Sequence, residues 1–325
     1  MTVFTRRTLA LAAATTLVAA WAPATALADS TWPEKIVTFI TPYPPGGSSD
    51  VITRFLADRV SKQMGKTVIV ENKPGAGATL GTEFAARAKP DGYTFFVTPM
   101  ATITIAPWLR QVRYSVDDFT PVAKLSSSYG LISTYNEAPF SDYREFAEAA
   151  RKKPGEYTFA TNGVGSVVHL TAVVAQKEAG IDVLHVPYKG AAESMSDLMG
   201  QRIDIMYDPV TAPQVAKGTL KGLATTGAMR NPALPDIPTL KEQGINMPYS
   251  GSWFGIFAPA GTPGEIVDKM AEQVRQALDG EEVKKQLQVS AMYPDFEGPE
   301  EFAKTVKGDA EVMRGVIERE GIQLD

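Results

Sequence analysis

The sequence contains no cysteine and only two histidines, His169 and His185. The lack of cysteine excludes disulfides, thiol nucleophiles, cysteine metal ligands and a lipid attached to an N-terminal cysteine. The two histidines do not form a metal-binding pair in sequence, and the Gly-x-Ser-x-Gly motif of many serine hydrolases does not occur. The residues that usually carry covalent or metal-dependent catalysis are therefore scarce, which argues against an enzyme.

The sequence also lacks a net positive charge. The 325 residues include 32 Lys and Arg against 37 Asp and Glu, and the formal net charge is −5. An acidic chain has no general attraction for a phosphate backbone, so we expect no nucleic-acid partner. Beyond the N-terminal segment, no stretch reaches the roughly 18 apolar residues that a membrane span needs. The length suits two globular domains.

The N-terminal segment has the composition of a secretory signal peptide. Arg6 and Arg7 form a short basic start, residues 8–20 carry no charge, and Ala26 and Ala28 are the small residues that signal peptidase requires. We therefore predict removal of the first 28 residues.

The export route stays open at this point. The two arginines resemble a twin-arginine signal, but Ala10 stands where a lysine would strengthen that reading. An exported protein without a lipid or a membrane anchor stays near the cell only behind an outer barrier. We therefore expect a periplasmic protein.

Alternating strand and helix patterns predict an α/β protein with two units. The first unit has predicted strands at residues 35–43, 67–70 and 93–98, separated by helices. Ser48 or Ser49 is expected to cap the first helix. The second unit has predicted helices at 142–152, 166–179, 191–199 and 210–217, and predicted strands at 157–161, 182–186, 203–207 and 220–224.

The C-terminal part differs from both units. A predicted strand at residues 253–258 precedes an apparent capping box at Thr262–Glu265, and helices follow at 281–288 and 299–320. We place this strand and these helices back in the first domain. The expected domains are residues 29–127 with 253–325, and residues 128–252, joined by two crossings near 126–133 and 250–253.

Two glycine-rich turns carry most of the functional information. Gly46 and Gly47 precede one helix, and Gly163 and Gly165 precede another. Glycine lets the backbone turn tightly and approach a ligand closely. The first N–H groups of a helix have no partner inside it and favour an anion. Two such turns, one in each unit, predict a clamp on a small anionic molecule.

Residues 75–81 resemble a dinucleotide-binding fingerprint, but the following strand ends in Thr98-Pro99 without the acidic residue that binds ribose. We therefore expect no nucleotide cofactor, and no cofactor of any kind.

Five motifs in order resemble one known family. They are Tyr43-Pro44-Pro45-Gly46-Gly47-Ser48-Ser49-Asp50, Val70-Glu71-Asn72-Lys73-Pro74-Gly75-Ala76-Gly77, Pro90-Asp91-Gly92-Tyr93-Thr94, His185-Val186-Pro187-Tyr188-Lys189-Gly190 and Ala258-Pro259-Ala260-Gly261-Thr262-Pro263. Together they resemble the Bug family, the TctC-like periplasmic receptors of tripartite tricarboxylate transporters. This resemblance implies a two-domain Venus-flytrap of the type II periplasmic binding protein fold, which binds small carboxylates between its domains.

The resemblance also implies which residues bind the ligand. From the first domain they are Tyr43, Pro45, Gly46, Gly47, Ser48, Ser49, Asp50, Met100, Ala101 and Thr102. From the second domain they are Gly163, Val164, Gly165, Ser166, His169, Tyr188, Lys189, Gly190 and Asp208. Asp208 serves equally well as a cap before Pro209, and Lys189 as a solvated surface lysine.

The expected function is that of a receptor without enzymatic activity. It would be a monomer that captures a small organic carboxylate, either a di- or tricarboxylate or an aromatic acid, and delivers it to the permease subunits of the transporter. Two alternatives stay open: an exported hydrolase or lyase on an α/β scaffold, and a sensor subunit that presents ligand to a signalling partner.

Overall fold

The computed structural model describes residues 32–188, 190–249, 251–288 and 292–323. The predicted signal peptide, Lys189 and Ser250 therefore lie outside the described residues. Pro33–Asp325 cluster as one compact unit, within which the strands form two sheets. The predicted α/β class is confirmed.

The strands, in chain order, are β1 (Val37–Thr41), β2 (Val68–Asn72), β3 (Thr94–Pro99), β4 (Phe119–Ser128), β5 (Leu131–Thr134), β6 (Thr158–Thr161), β7 (Leu184–Pro187), β8 (Ile205–Tyr207), β9 (Lys221–Thr225), β10 (Trp253–Pro259) and β11 (Met292–Glu297). The helices are α1 (Ser48–Met64), α2 (Thr79–Ala86), α3 (Met100–Thr104), α4 (Ala106–Leu109), α5 (Tyr143–Lys152), α6 (Val167–Ala179), α7 (Ala191–Met199), α8 (Ala212–Ala216), α9 (Gly264–Ala277), α10 (Glu281–Gln288) and α11 (Pro299–Glu320).

The first sheet has six strands in the order β11-β4-β10-β3-β1-β2. β1 pairs in parallel with β2 and β3. Helix α1 connects the parallel neighbours β1 and β2, and α2 carries the chain from β2 past β1 to β3. β10 pairs antiparallel with both β3 and β4, and β11 pairs antiparallel with β4. The C-terminal part of the chain thus returns to the sheet in which the chain began.

The second sheet has five strands in the order β7-β6-β8-β5-β9. β6 is parallel to β7 and β8, whereas β5 is antiparallel to β8 and β9. Parallel strands of this kind place their carboxyl ends at one edge, which is where open α/β sheets bind ligands.

Each sheet has its own aromatic core. The core of the first sheet includes Phe96, Phe119, Trp253, Phe257 and Phe302, and that of the second includes Phe140, Tyr143, Phe146, Phe159 and Tyr207. Burying one such side chain contributes about 1.5–3 kcal/mol, so each half carries a substantial core of its own.

Helix α6 packs against both cores. Its Leu170 and Val174 belong to the core of the first sheet, and its Ala172 and Ala175 to that of the second. The two cores are therefore in contact along this helix.

The two segments that cross between the sheets are hydrogen-bonded to each other. The N–H of Ser128, at the end of β4, donates to the carbonyl of Ser252, which precedes β10 (2.8 Å). Beside them, the N–H of Thr226 donates to the carbonyl of Gly130 (3.1 Å). A Cβ at Gly130 would lie 2.0 Å from Thr226 Oγ1, so any other residue here would require the Thr226 side chain to move.

Two predicted helix caps are wrong. Helix α1 begins at Ser48 with Gly47 as its N-cap, so neither Ser48 nor Ser49 caps it. At the predicted capping box, α9 begins at Gly264 without a side-chain cap, because the Thr262 hydroxyl donates to the carbonyl of Pro259 instead. The sequence prediction also missed β4, β5, β11, α3 and α4.

Candidate functional site

The first glycine turn is held by a carboxylate four residues further along the chain. Gly46 adopts a φ of 88°, and its N–H donates to Asp50 Oδ2 (2.9 Å). The same carboxylate accepts from Arg54 Nε (3.0 Å) and from Asn72 Nδ2 (2.7 Å). Burial by itself would raise the pKa of Asp50, but these donors outweigh it and hold the pKa below its usual value. Asp50 is therefore an ionised anchor inside the turn.

The N-terminus of α1 lacks a side-chain cap. Its N-cap residue is Gly47, which has no side chain to offer, and the helix runs for 17 residues. Gly47 is exposed, and a Cβ added to it would meet nothing closer than the Pro44 carbonyl at 3.8 Å. No capping side chain therefore takes up the first N–H groups of this long helix, and the residues at its very start, Gly47 and Ser48, are exposed.

The second glycine turn is held in the same way by a different group. Gly165 adopts a φ of 74°, and its N–H donates to Nδ1 of His169, again four residues on (3.1 Å). The Ser166 hydroxyl accepts from the N–H of His169 and donates to the carbonyl of Gly163 (2.8 Å). Ser166 caps α6, which begins one residue later than predicted, at Val167.

The two histidines stack on each other beneath this turn. The ring centroids of His169 and His185 are 4.0 Å apart, and Phe159 stacks on His185 at 4.7 Å. Burial lowers the pKa of His169. Burial and the neighbouring His169 lower the pKa of His185 to about 4. Both rings are neutral at pH 7, so Nδ1 of His169 is free to accept from Gly165.

Two adjacent cavities are lined from both sheets. The first, of about 270 Å³, is lined by Ser48, Ser128, Gly130, Leu131, Val167, Val168, Thr171, Tyr207, Pro209, Thr226, Ser252, Phe254 and Met292. The second, of about 240 Å³, is lined by Tyr43, Gly77, Ala101, Thr102, Ile105, Ala106, Leu109, Arg110, Val164, Gly165 and Ser166. Residues at the start of α6 border both cavities, which together form the cleft.

Seven of the predicted ligand-binding residues line this cleft. They are Tyr43, Ser48, Ala101, Thr102, Val164, Gly165 and Ser166. Pro45, Gly46, Gly47 and Ser49 belong to the same turn as Ser48 without lining either cavity. Gly163 and His169 hold the second turn as described.

The remaining predicted residues lie elsewhere or serve the fold. Met100 is buried in the core of the first sheet. The Tyr188 hydroxyl donates to Asp197 Oδ2 (2.6 Å), and neither Tyr188 nor Gly190 lines the two cavities.

The alternative reading of Asp208 as a helix cap agrees with its contacts. Its carboxylate accepts from the N–H of Val210 (2.9 Å) at the start of a short 3₁₀ turn. Burial raises the pKa of this carboxyl. Its neighbours Tyr207 and Pro209, rather than Asp208, face the first cavity.

The sequence analysis missed several cleft residues. Arg110 follows the short helix α4, and Thr226 follows β9. Position at the carboxyl end of a strand in an α/β sheet is the signal that could have identified Thr226 and Tyr207. Arg110 had no such signal, because α3 and α4 were not predicted.

Within the described residues, no group of three or more metal-ligating side chains comes together, and no helix is long and apolar enough to cross a membrane. Three larger hollows, of about 600, 650 and 320 Å³, are each lined by elements associated with the first sheet alone. The cleft is lined by Ser48, which directly follows the first glycine turn, and by Gly165 of the second.

Known proteins resemble the chain along most of its length. A Cupriavidus necator protein named for its position in the gbd 5′ region is 33% identical over 303 residues, covering 92% of this chain and 91% of its own. The protein BugT of Bordetella pertussis is 28% identical, covering 90% of this chain and 92% of its own.

Three solved structures share the fold. A TctC solute-binding protein from Polaromonas, without ligand, is 28% identical with a TM-score of 0.82, covering 89% of this chain and 99% of its own. Rpa4515 from R. palustris with adipate is 29% identical with a TM-score of 0.68 and covers 90% and 100%. MatC from Rhodopseudomonas palustris with bound malate is 30% identical with a TM-score of 0.66 and covers 88% and 99%.

A family model, described as the tripartite tricarboxylate transporter family receptor or TctC, matches residues 52–322. The first glycine turn lies just before this match, and the second lies within it. The chain belongs to the receptors of the tripartite tricarboxylate transporter family.

Proposed function

We propose that this protein is a periplasmic receptor that captures a small organic carboxylate and delivers it to the membrane subunits of a tripartite tricarboxylate transporter. The observation that carries the proposal is the cleft. It is lined by Ser48 at the start of α1, directly after the first glycine turn, and by Gly165 and Ser166 of the second turn, before α6. Helix N-termini supply fixed partial positive charge at both turns. An acidic protein can hold an acidic ligand in this way.

The ligands of related proteins support the ligand class. Two solved relatives, each about as similar to this chain as the other, contain adipate and malate. Both molecules are small carboxylates, and two cavities of about 270 and 240 Å³ suit a ligand of that size. By analogy we infer that one carboxylate group of the ligand binds at the turn before α1.

The two sheets support two domains with the boundaries expected from sequence: residues 29–127 with 253–325, and residues 128–252. We propose that these domains close over the ligand by bending at the Ser128–Ser252 crossing. At nearly equal identity, the TM-score is 0.82 with the ligand-free relative but 0.68 and 0.66 with the two ligand-bound ones. This difference is consistent with an open conformation of the cleft.

An enzymatic role has less support. The only histidines are neutral and engaged, with His169 Nδ1 on the Gly165 N–H and His185 Nε2 beside the Thr161 hydroxyl (2.7 Å). Thr161 is fully buried and lines neither cavity, so this pair has no route to a ligand in the cleft. We propose a monomeric binding protein without catalysis.

We further propose that residues 1–28 are a signal peptide removed on export. The N-terminal mass of the protein purified from periplasmic extract tests this point. A mature chain that begins within a few residues of Asp29 supports it, and a full-length chain in the membrane fraction contradicts it.

A ligand screen tests the function itself. Thermal unfolding of the mature protein is followed with mono-, di- and tricarboxylates and aromatic acids, and the best ligand is then titrated by calorimetry. A ligand at 100 times its dissociation constant adds about 2.7 kcal/mol to the free energy of unfolding. Chemical conversion of the bound acid, or no stabilisation by any acid in the screen, contradicts the receptor assignment.

A further inference from the structure

Arg110 is the cationic side chain that the cleft presents to a ligand. Among the described residues that line the two cavities, it is the single lysine or arginine. It faces the second cavity together with Tyr43 and Thr102 from the first sheet's side and Gly165 and Ser166 from the second. A charged group at this position meets a ligand that both halves of the protein contact.

The main chain of Arg110 is held at the end of α4, and its guanidinium rests against Gly77. The N–H of Arg110 donates to the carbonyl of Ala106 (3.0 Å), which ties the residue to the end of α4. Its Cζ atom lies 3.3 Å from the point that a Cβ at Gly77 would occupy. Gly77 has a φ of 63°, and its missing side chain leaves the space against which the guanidinium rests.

Arg110 is also available for a ligand. Within the described part of the chain, no acidic side chain pairs with its guanidinium, although several exposed arginines elsewhere have such partners. A guanidinium binds a carboxylate with two parallel hydrogen bonds, which gives direction as well as charge.

The helix N-termini and Arg110 supply different amounts of positive charge to balance the carboxylates of a ligand. The uncapped start of α1 provides partial charge for one carboxylate. A second carboxylate on the same ligand would enter a protein of net charge −5, and it needs a full positive charge nearby. The cavity that Arg110 lines adjoins the cavity that Ser48 lines, so one extended molecule can reach both.

We propose that Arg110 is a specificity-determining residue that pairs with the second carboxylate of a dicarboxylate ligand. This inference rests on the proposed receptor function. It makes the distance between the turn before α1 and the end of α4 the feature that selects among acids, with the apolar residues of the first cavity contacting the carbon skeleton.

Matched pairs of acids test the inference. Each pair differs by one methyl group in place of a carboxylate: succinate and butyrate, adipate and hexanoate, terephthalate and 4-methylbenzoate. Affinities of each pair are measured by calorimetry for the wild type, Arg110→Gln and Arg110→Lys. The control is Arg113→Gln, which removes the same charge from an exposed residue that lines neither cavity.

We expect the wild type to bind the dicarboxylate of at least one pair about tenfold or more tightly than its monocarboxylate partner. Arg110→Gln should remove this preference. It should weaken the affinity for the dicarboxylate and leave the affinity for the monocarboxylate unchanged within about twofold. Arg110→Lys should retain part of the preference, and Arg113→Gln all of it.

Different outcomes contradict the role of Arg110 and the receptor function on which it rests. The role of Arg110 is overturned if Arg110→Gln weakens the affinities for both acids of a pair equally. It is also overturned if Arg113→Gln changes these affinities as much as Arg110→Gln does. A wild type that binds only monocarboxylates also overturns it and leaves the receptor function intact. A wild type that binds none of the acids in the wider screen contradicts the receptor function itself.

Discussion

The two glycine turns of the cleft use the same backbone geometry with different acceptors. In each, a glycine with positive φ donates its N–H to a side chain four residues further on, in the first turn of the following helix: Gly46 to Asp50 and Gly165 to His169. The first acceptor is an ionised carboxylate with two further donors. The second is a neutral imidazole stacked on another imidazole. The first turn is therefore held by charge, and the second depends on the protonation state of a histidine.

This difference also divides the roles of the turns. The first turn ends at Gly47, which leaves the start of α1 uncapped, whereas the second ends at Ser166, whose hydroxyl caps α6. The partial charge at α1 is open to a ligand, and that at α6 is partly satisfied internally. We therefore expect the first turn to contribute most of the affinity for a carboxylate.

The largest expected effect comes from removing the anchor of the first turn. Asp50→Ala leaves the Gly46 N–H, Arg54 and Asn72 without their shared acceptor, and we expect a loss of about 2–3 kcal/mol in the free energy of unfolding. Ligand affinity should fall at least tenfold, because the turn loses its shape. Urea unfolding and calorimetry measure the two effects.

The control for this variant lies two helical turns further along α1. Asp58 pairs with Lys62 on the exposed face of the helix, and Asp58→Ala should cost less than about 0.5 kcal/mol. If the two variants have equal stability, the anchoring role of Asp50 is wrong.

A smaller effect, on binding alone, is expected from Gly47→Val. Gly47 has an ordinary φ of −80°, and its Cβ position is unobstructed, so the variant should fold with nearly unchanged stability. A branched side chain at the uncapped helix start should block the approach of a carboxylate and reduce affinity at least tenfold. Calorimetry with the best ligand from the screen measures this effect, and unchanged affinity would remove the first turn from the site.

Acid should weaken the second turn but not the first. Burial lowers the pKa of His169, and that of His185 is lowered to about 4. Below about pH 6.5 the unfolded chain binds protons that the folded protein does not, so stability is lost as the pH falls from there towards 4. We expect a loss of about 1–2 kcal/mol between pH 7 and pH 5. Urea unfolding at both pH values measures the loss.

The double variant His169→Gln, His185→Phe provides the matched control. The glutamine amide oxygen can still accept a hydrogen bond, and neither new side chain titrates. This variant should lose much less stability between pH 7 and pH 5. Asp208, whose pKa is raised by burial, contributes with the opposite sign and in both proteins alike. An equal pH dependence in both proteins would show that the histidine stack does not cause it.

The sequence predicted those parts of the fold that depend on local pattern. β1 with α1 and β6 with α6 follow from an apolar strand, a glycine turn and a helical repeat. Gly65 ends α1 in the left-handed conformation that glycine adopts readily. These features are decided within a few residues of one another. The helices α7, α10 and α11 have the predicted limits for the same reason.

The missed strand β4 depends on residues far away in the sequence. It contains Lys124, which is buried yet charged because it pairs with Asp295 (2.7 Å) and Glu297 (2.8 Å) of β11. A lysine among serines does not indicate a buried strand until those partners are known. β11 was missed for the complementary reason, since its acidic residues indicate an exposed segment.

The candidate site, like the fold, was predictable where it depends on nearby residues and not where it depends on distant ones. The glycine turns were found because their residue types are restrictive, and the motif resemblance added Tyr43, Ala101 and Thr102. The hydrogen bond from Gly165 to His169 could have been inferred from its parallel with Gly46 and Asp50. Arg110 could not, because its place in the cleft depends on its guanidinium resting against the loop at Gly77, far away in the sequence.

The smallest expected effect is a change in the distance between the two turns. A ligand shifts an equilibrium between open and closed forms only if it contacts both turns in one form and a single turn in the other. We expect a bound carboxylate that contacts both turns to shorten the distance between an exposed site near Gly46 and one near Val164. Paired spin labels or fluorophores at such sites report that distance, and small-angle scattering should show a radius of gyration smaller by a few per cent. The helical content should stay the same, because each core moves as a unit.

The variants of the first turn provide the controls. Asp50→Ala should abolish the change in the distance between the turns, whereas Asp58→Ala should preserve it. A tightly bound ligand that alters neither measurement would mean that the two turns do not close on it together.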